Sequence, residues 1–503
     1  MTARVLFPCL LAATAARAGV IQGTVQEYAS GLSLSRTVVR LVPVPRADNI
    51  DLRTLQLRTA SAGQFVFFNV PDGYYFLIAT REGYFPGAYG QRRPNGQGTP
   101  ILITKDSDLF AQLRLRRKGA ITGRVLDENG VGIEGVPVVA YRARLPLRVA
   151  AQGVSDDRGV YRIHGLDAGK YWVRNIAHTL DDGSGMLPTF GPQSREVREA
   201  RAHDVRLDED TPDADVHPEF GALFSVGGQL QCLDGAVKVT LTSETVRRTT
   251  QAPCGESYSF PSLSPAVYEI TAELLNGKES GYTELFADKN TAAAAIKLQP
   301  PPTVEFDIRR AGSGSAVNFP VTVTGRRQDL YESGTEQQIP TPHATLLAGH
   351  WEMSAQAGAD KYIESMTNFR GQVRRELQQE KSVDSFDLFI DMRFAPIRIT
   401  VSDKAAQISG SVVKEAKAVP GAPVFLWPLA EAGRRSLKGY RMVIADTEGK
   451  YHFEGLPPGD YRMLATYDFT EIDEAALDEG LAVTVHATDS QRTTADLPLW
   501  VSP

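Results

Sequence analysis

The residue types that most often carry catalysis or bind metals are sparse in this sequence of 503 residues. Its eight histidines follow neither the His-Glu-x-x-His nor the His-x-x-Glu spacing that lets two side chains converge on one zinc ion. The nearest approach is His164 with Asp167, which we interpret as a histidine at the edge of a core. The nucleophile elbow Gly-x-Ser-x-Gly is also missing from the sequence. We therefore predict a protein that is not an enzyme, with no catalytic residue, no metal site and no cofactor.

Aromatic and basic residues concentrate in one segment, where Tyr84, Phe85 and Tyr89 are followed by Arg92 and Arg93. Flat rings on a rigid scaffold can stack on sugar faces, and arginine can hold hydroxyl or carboxylate groups. This segment is therefore a candidate ligand-binding loop. The alternative is that the first two aromatic residues only seal the end of a domain.

A second candidate ligand-binding residue is Phe190, in the segment from Asp181 to Ser194. Its position in an inserted loop is similar, and the same structural alternative applies to it. Asp156 and Asp446 could be considered as calcium ligands, but a tight turn before a strand uses aspartate for backbone reasons. We interpret both as turn residues.

Residues 1–18 are typical of a signal peptide. Arg4 precedes a short apolar run, and Ala16 and Ala18 are the small residues expected before a cleavage site. The run is too short to span a bilayer, and no other segment has about 18 consecutive apolar residues. We expect export to the periplasm, cell surface or medium after cleavage near Ala18, without membrane insertion of the mature chain. The alternative is a frayed N-terminal strand.

Two cysteines remain after such a cleavage, Cys232 and Cys254, and they are separated by one predicted strand pair. An exported chain can oxidise them, so we predict a disulfide. This bond would add about 3 kcal/mol by restricting the unfolded chain. The alternative is two buried thiols.

One spacing pattern recurs along the chain, and the elements that it predicts must position these candidate residues. Counting from Gly449, an aromatic residue stands at +2, apolar residues at +4 and +7, glycine at +10, an aromatic at +12 and an apolar residue at +14. Alternation of this kind between two turns predicts a β-hairpin. The same spacing starts at Gly63 and Gly159, and a weaker copy starts at Glu256. A nearly erased copy keeps Leu346, Gly349, Trp351 and Met353.

The copies lie roughly 100 residues apart, which is the size of a whole domain. Each is preceded by two strands and followed by a closing strand, and the first strand carries a central glycine, such as Gly123, where we expect the opposing sheet to approach closely. We predict an all-β protein, a tandem array of five antiparallel two-layer β-sandwiches, each with its own core. The predicted sandwiches span residues 19–117, 118–210, 216–300, 301–402 and 403–503.

Three sequence blocks recur in a fixed order: Ile-x-Gly-x-Val, as in Ile121 to Val125, then Gly-x-Pro-Val, as in Gly135 to Val138, then Asp-x-x-Gly-x-Tyr, as in Asp156 to Tyr161. This order resembles the carboxypeptidase regulatory-like domain, a transthyretin-like sandwich also described as a carbohydrate-binding-like fold. It is also similar to the collagen-adhesin B-type repeat. The resemblance is strong in the first, second and fifth sandwiches, weaker in the third and slight in the fourth. It implies exported, non-catalytic modules, common in bacterial envelope proteins.

A formal net charge of −6, without a basic stripe, argues against a nucleic-acid partner. The leading hypothesis is a non-enzymatic exported scaffold or adhesion protein that presents loops to a partner protein at the cell envelope. One alternative is glycan binding through the aromatic loops. Another is an accessory subunit of an exported peptidase or glycosidase.

Overall fold

Strands make up nearly all of the regular structure in a computed structural model of the chain. The described residues are 19–48, 52–94, 96–144, 147–180, 183–243, 246–328, 334–368, 385–390, 396–430 and 439–502. The predicted signal peptide, residues 1–18, lies outside them, as do Asp181 and Asp182 of the second candidate loop. The strands form five consecutive groups, which we call units 1 to 5. The all-β fold class predicted from the sequence is confirmed.

Unit 1 contains eight strands. They are β1 (Gly19–Glu27), β2 (Val38–Pro43), β3 (Leu55–Arg58), β4 (Gln64–Val70), β5 (Gly73–Thr80), β6 (Gly87–Ala88), β7 (Ile101–Ile103) and β8 (Asp108–Leu115). One sheet has the order β4-β1-β8, and the other has the order β3-β2-β5-β6 with β7 paired to β5. Alternate residues of these strands, such as Ile21, Phe65 and Leu77, fill the core between the two layers.

Unit 2 also has two main sheets, with the orders β11-β10-β13-β16 and β12-β9-β17. Its elements are β9 (Gly119–Arg124), β10 (Pro137–Arg142), β11 (Val149–Val154), β12 (Val160–Leu166), β13 (Gly169–Asn175), β14 (His178–Thr179), β15 (Gly185–Met186), a 3-10 turn (Val197–Glu199), β16 (His203–Val205) and β17 (Asp210–Thr211). β17 pairs in parallel with β9. Beyond β17, Val216 forms an isolated parallel bridge with Val125. Strand pairing in unit 2 thus continues past residue 210, which is the end predicted for this sandwich from the sequence.

Unit 3 pairs its strands in the orders β21-β18-β24 and β20-β19-β22-β23. The strands are β18 (Phe224–Gln231), β19 (Ala236–Thr242), β20 (Arg247–Pro253), β21 (Ser257–Leu263), β22 (Ala266–Leu274), β23 (Ser280–Ala287) and β24 (Ile296–Lys297). Cys232 and Cys254 are joined by a disulfide, with their Cα atoms 5.3 Å apart. The bond lies against the core of this unit.

Unit 4 has the orders β28-β25-β32-β30 and β27-β26-β29-β31. The strands are β25 (Thr303–Arg310), β26 (Thr322–Gln328), β27 (Gln337–Ile339), β28 (His343–Thr345), β29 (Gly349–Gln356), β30 (Tyr362–Asn368), β31 (Ser385–Ile390) and β32 (Ile397–Ser402). Its core retains Trp351 and Met353 of the nearly erased repeat. The fourth copy is therefore a sandwich as well, although its sequence pattern is faint.

In unit 5 the two layers join into one nine-stranded sheet, because β41 pairs with both β33 and β38. The elements are β33 (Ala406–Lys414), β34 (Lys417–Ala418), β35 (Pro423–Pro428), β36 (Arg441–Ile444), β37 (Lys450–Leu456), β38 (Gly459–Thr466), α1 (Glu474–Glu479), β39 (Val483–Ala487), β40 (Arg492–Thr494) and β41 (Leu497–Trp500). The Asp473 side chain caps α1 by accepting the Ala476 N–H at 2.8 Å. Among the described residues, we find no helix with the length and apolar character needed to cross a membrane.

The second aromatic position of the repeat has the same hydrogen bond in every unit. The side chain donates to the backbone carbonyl four residues earlier, and the donor–acceptor distances lie between 2.6 and 2.9 Å. The donors are Tyr75, Tyr171, Tyr268, Trp351 and Tyr461. This bond fixes the corner that leads into the second hairpin strand, which explains why an aromatic residue with a donor recurs there.

The central glycine of the first strand lies against the closing segment of its own unit. A Cβ at Gly123 would be 2.2 Å from the Ala214 carbonyl oxygen, which also accepts a hydrogen bond from the Tyr161 hydroxyl. In unit 5, Tyr451 bonds the corresponding carbonyl above Gly410. The sequence-based expectation of an approach by the opposing sheet was wrong. The close neighbour is the segment that pairs beside the first strand in the same sheet.

Unit 5 packs against unit 1, although the two are at opposite ends of the described chain. Phe76 points away from the unit 1 core and lies in the core cluster of unit 5, where it meets Tyr467 edge to face at 6.5 Å. Val44 joins the same cluster, and the Thr447 N–H donates to the Pro45 carbonyl at 3.0 Å. Units 1 and 5 thus share part of one core, which departs from the expectation that each sandwich has its own.

Candidate functional site

Two of the predicted loop aromatics serve unit 1 itself. Tyr84 and Tyr89 are half-buried and pack against the unit 1 core. The Tyr84 hydroxyl donates to Glu27 Oε1 at 3.2 Å, and the Arg117 guanidinium lies 5.8 Å from the centre of its ring. The segment that connects units 1 and 2 therefore rests on Tyr84. For Tyr84, the structural alternative raised from the sequence describes the packing, and Tyr89 packs against the same core.

Glu27 is the charged centre of the joint between units 1 and 2. Its side chain is only 4% exposed and accepts hydrogen bonds from Ser30 and Arg117. The bond from Ser30, followed by that from Arg117, holds the pKa of Glu27 below its ordinary value. A buried carboxylate needs such partners to remain ionised. Glu27 thus fastens the two units only while it is charged.

Arg93 bridges unit 1 to unit 5. It donates to the Ser502 hydroxyl at 2.7 Å and to Glu479 Oε2 at 3.2 Å, and its guanidinium lies 5.3 Å from the Phe469 ring and 5.5 Å from the Trp500 ring. The hydrogen bond from Arg93 also lowers the pKa of Glu479. The sequence assigned Arg93 to ligand binding, but these contacts give it a second task in holding the two units together.

Phe190 is not available to a ligand. It is 2% exposed, meets Tyr141 edge to face at 6.4 Å, and has the Arg174 guanidinium 4.7 Å from its ring centre. A ring covered on both sides cannot stack on a sugar. The prediction that Phe190 binds a ligand was wrong, because the loop that carries it folds back onto the outer face of the unit 2 sheet.

The remaining loop residues, Phe85 and Arg92, meet Tyr28, which follows β1, and residues of β8 around a pocket of about 380 Å³. We call it the arginine pocket, and its characteristic lining residues are Tyr28, Phe85, Arg92, Arg93, Arg114 and Arg116. β8 supplies Arg114 on its exposed face, and the chain then turns at Arg116 towards unit 2. Residues far apart in the sequence therefore converge, because β1 and β8 are parallel neighbours.

The charge in the arginine pocket has one sign. Four arginines line it, and the other described lining residues are uncharged. Arg93 and Arg116 have carboxylate partners in Glu479 and Asp208, the latter at 3.1 Å. Within the described parts of the chain, no ion pair or side-chain hydrogen bond engages Arg92 or Arg114. Two guanidiniums are thus free to bind an anion.

Tyr28 adds an aromatic surface to the arginine pocket. Its ring is 47% exposed, and the Arg116 guanidinium lies 3.6 Å from the ring centre. Guanidinium groups bind carboxylate, sulfate or phosphate oxygens through paired N–H donors, and an exposed ring can stack on an apolar sugar face. The arrangement suits an anionic ligand that also has an apolar face able to stack on the ring.

Sequence reasoning found Phe85, Arg92 and Arg93 but missed Tyr28, Arg114 and Arg116. The available signal was the basic run at the end of the first predicted sandwich, where Arg114 alternates with apolar residues and must therefore face solvent. Sequence reasoning did not connect that run with the candidate loop.

The two aspartates that could have bound calcium are turn residues. Asp156 accepts the N–H groups of Arg158 at 3.0 Å and Val160 at 2.8 Å, and these backbone bonds, with that from Val160 the larger, lower the pKa of Asp156. Asp446 accepts two N–H groups in the same way. Their carboxylates organise the hairpin turn.

No family model matches the sequence, and no curated protein matches it. Among solved structures, a minor pilin of Streptococcus agalactiae is similar over 41% of this chain and 97% of its own, with 14% identity and a TM-score of 0.26. The pilus adhesin SpaC of Lactobacillus rhamnosus GG is similar over 76% of this chain and 57% of its own, at 12% identity and a TM-score of 0.17. The major pilin BcpA of Bacillus cereus covers 76% of this chain and 99% of its own, at 10% identity and a TM-score of 0.14. TM-scores this low carry no argument about function.

Proposed function

We propose that the protein is a non-enzymatic binding scaffold of the cell envelope, and that unit 1 binds acidic polysaccharide in its arginine pocket. The observation that carries the proposal is the pair of unpartnered guanidiniums, Arg92 and Arg114, among described lining residues that include no acid. Two positively charged groups in the lining of one pocket attract an anionic ligand. The half-exposed ring of Tyr28 favours a saccharide over a small inorganic anion.

The scaffold part of the proposal is supported by how the units are connected. Hairpin tyrosines and glycines are fully used in holding each sandwich together, as at Tyr161 and Tyr451, so they have no catalytic task. His164, the histidine nearest to a metal-binding spacing, is exposed, and Asp167 beside it is paired with Lys118 at 3.1 Å. Ligand contacts are therefore expected at the arginine pocket rather than at the repeated hairpin residues.

The experiment is a binding assay of the purified chain on polygalacturonate and on dextran, its neutral comparison, at low and high salt. Arg92→Ala and Arg114→Ala test the pocket. Arg58→Ala is the matched control, because it removes an exposed arginine from the other sheet of the same unit. Tyr89→Ala is a poor probe, since this ring packs against the core.

We expect salt-sensitive binding to polygalacturonate that is weakened by either pocket variant and unchanged in Arg58→Ala. Binding that falls equally in all three variants would mean that only net charge matters, and the pocket would not be the site. Equal binding to dextran would contradict the acidic class. Copurification of a peptidase or glycosidase would instead favour an accessory subunit, which stays a prediction.

A further inference from the structure

Two glutamates stand directly opposite each other on paired strands of unit 3. Glu269 of β22 is the register partner of Glu284 of β23, so both side chains leave the same face of the sheet. Like charges in this relation destabilise a sheet. Glu269 is only 4% exposed, and burial makes its charge costlier. This pair lies where unit 4 packs against unit 3.

A tyrosine from unit 3 and a histidine from unit 4 complete the cluster. The Tyr282 hydroxyl lies 3.2 Å from Glu269 Oε1 and 3.2 Å from Glu284 Oε2. One proton can serve only one of two carboxylates. From unit 4, His350 Nε2 approaches Glu269 Oε1 to 3.5 Å.

The ligand atoms lie close enough together to converge on one small ion. One nitrogen of His350 and one oxygen each of Glu269 and Glu284 lie within 4.8 Å of one another. In a tetrahedral zinc site with bonds of about 2.0 to 2.1 Å, neighbouring ligand atoms are roughly 3.3 Å apart. The imidazole nitrogen and the set of three ligands fit zinc rather than calcium, which takes six to eight oxygens.

We propose that His350, Glu269 and Glu284 form a Zn²⁺ site at the joint between units 3 and 4, with water as the fourth ligand. The ion neutralises the two opposed carboxylates, and Tyr282 donates to a carboxylate oxygen that is not bound to the metal. Because the ligands come from two units, the bound ion fixes how the units meet.

The test is Zn²⁺ titration of the chelator-treated chain, with bound metal measured by mass spectrometry and thermal unfolding followed in parallel. His350→Ala and Glu284→Gln each remove one exposed ligand and leave the buried Glu269 in place. His486→Ala is the matched control, since His486 pairs with a single carboxylate, Asp460, at 2.7 Å.

We expect one Zn²⁺ per chain and an affinity at least about 10-fold weaker in both ligand variants, because a direct ligand counts for at least as much as an outer-shell partner. His486→Ala should bind as the parent does. Zn²⁺ should raise the unfolding temperature of the parent and not that of His350→Ala. The proposal is overturned if no Zn²⁺ is retained, or if the ligand variants bind it as tightly as the parent.

Discussion

Replacing Phe76 by alanine tests whether units 1 and 5 depend on each other for stability. The ring is 3% exposed, yet it is not part of the unit 1 core. Its neighbours are residues of unit 5, among them Tyr467. Removing it therefore leaves the unit 1 sandwich intact and opens a cavity in the core that the two units share.

The expected cost follows from burial. A buried Phe→Ala exchange costs about 3 to 5 kcal/mol, which includes the lost transfer energy and the cavity. The edge-to-face contact with Tyr467 adds about 0.5 to 1.5 kcal/mol of coupling between the two rings. For a domain of this size, a loss of about 3 kcal/mol lowers Tm by about 10 °C or more.

Calorimetry on the full chain, combined with hydrogen exchange of β5 and β38, gives the readout. Phe68→Ala is the matched control, because this phenylalanine is in the same unit and is 68% exposed. The Phe68→Ala substitution should change the free energy of unfolding by no more than about 0.5 kcal/mol. In Phe76→Ala, protection should fall in β38 of unit 5 as well as in unit 1. If the two variants melt alike, or if β38 keeps its protection, the shared core does not stabilise the pair.

Two further predictions concern single groups. Because its folded pKa is lowered, Glu27 stabilises the joint of units 1 and 2 above its ordinary pKa of about 4.5 and loses this contribution as pH falls through the lowered value. Acid unfolding of Glu27→Gln should lack that pH-dependent loss, and parallel curves for parent and variant would contradict the assignment. Gly410→Ala should cost about 1 to 3 kcal/mol, since its Cβ would lie 1.8 Å from the Ala495 carbonyl oxygen. Gly358→Ala, with its nearest neighbour at 3.3 Å, is the comparison in thermal unfolding, and equal Tm values would refute the steric argument.

The sandwich itself could be predicted because its determinants are local. Tyr161 and Tyr451 recur at one spacing, since each must reach a carbonyl of its own unit, and their alternation with polar neighbours sets the strand period. The faint fourth copy kept Trp351, which makes the same corner hydrogen bond as the tyrosines. A hydrogen bond that recurs in each unit leaves a repeated residue spacing that a single sequence can show.

Contacts between units leave no repeated spacing in the sequence. Phe76 alternates with Tyr75 and Leu77, and alternation alone predicts that it faces solvent, whereas unit 5 covers it. His350 meets Glu269 only because unit 4 packs on unit 3. For the same reason, only part of the arginine pocket could be predicted from the sequence. The loop was visible as a cluster in the sequence, but its approach to the end of β8 depends on a long-range contact, in which the Phe85 N–H donates to the Arg116 carbonyl at 2.8 Å.

The contact between units 1 and 5 also determines an order of events during synthesis. Chains emerge from the ribosome N-terminus first, and domains fold as they appear, so unit 1 is complete long before Tyr467 exists. Throughout that interval Phe76 and Val44 are an uncovered apolar surface on an otherwise finished sandwich. An exposed apolar patch favours aggregation, and this exposure ends only when the last unit has folded against unit 1.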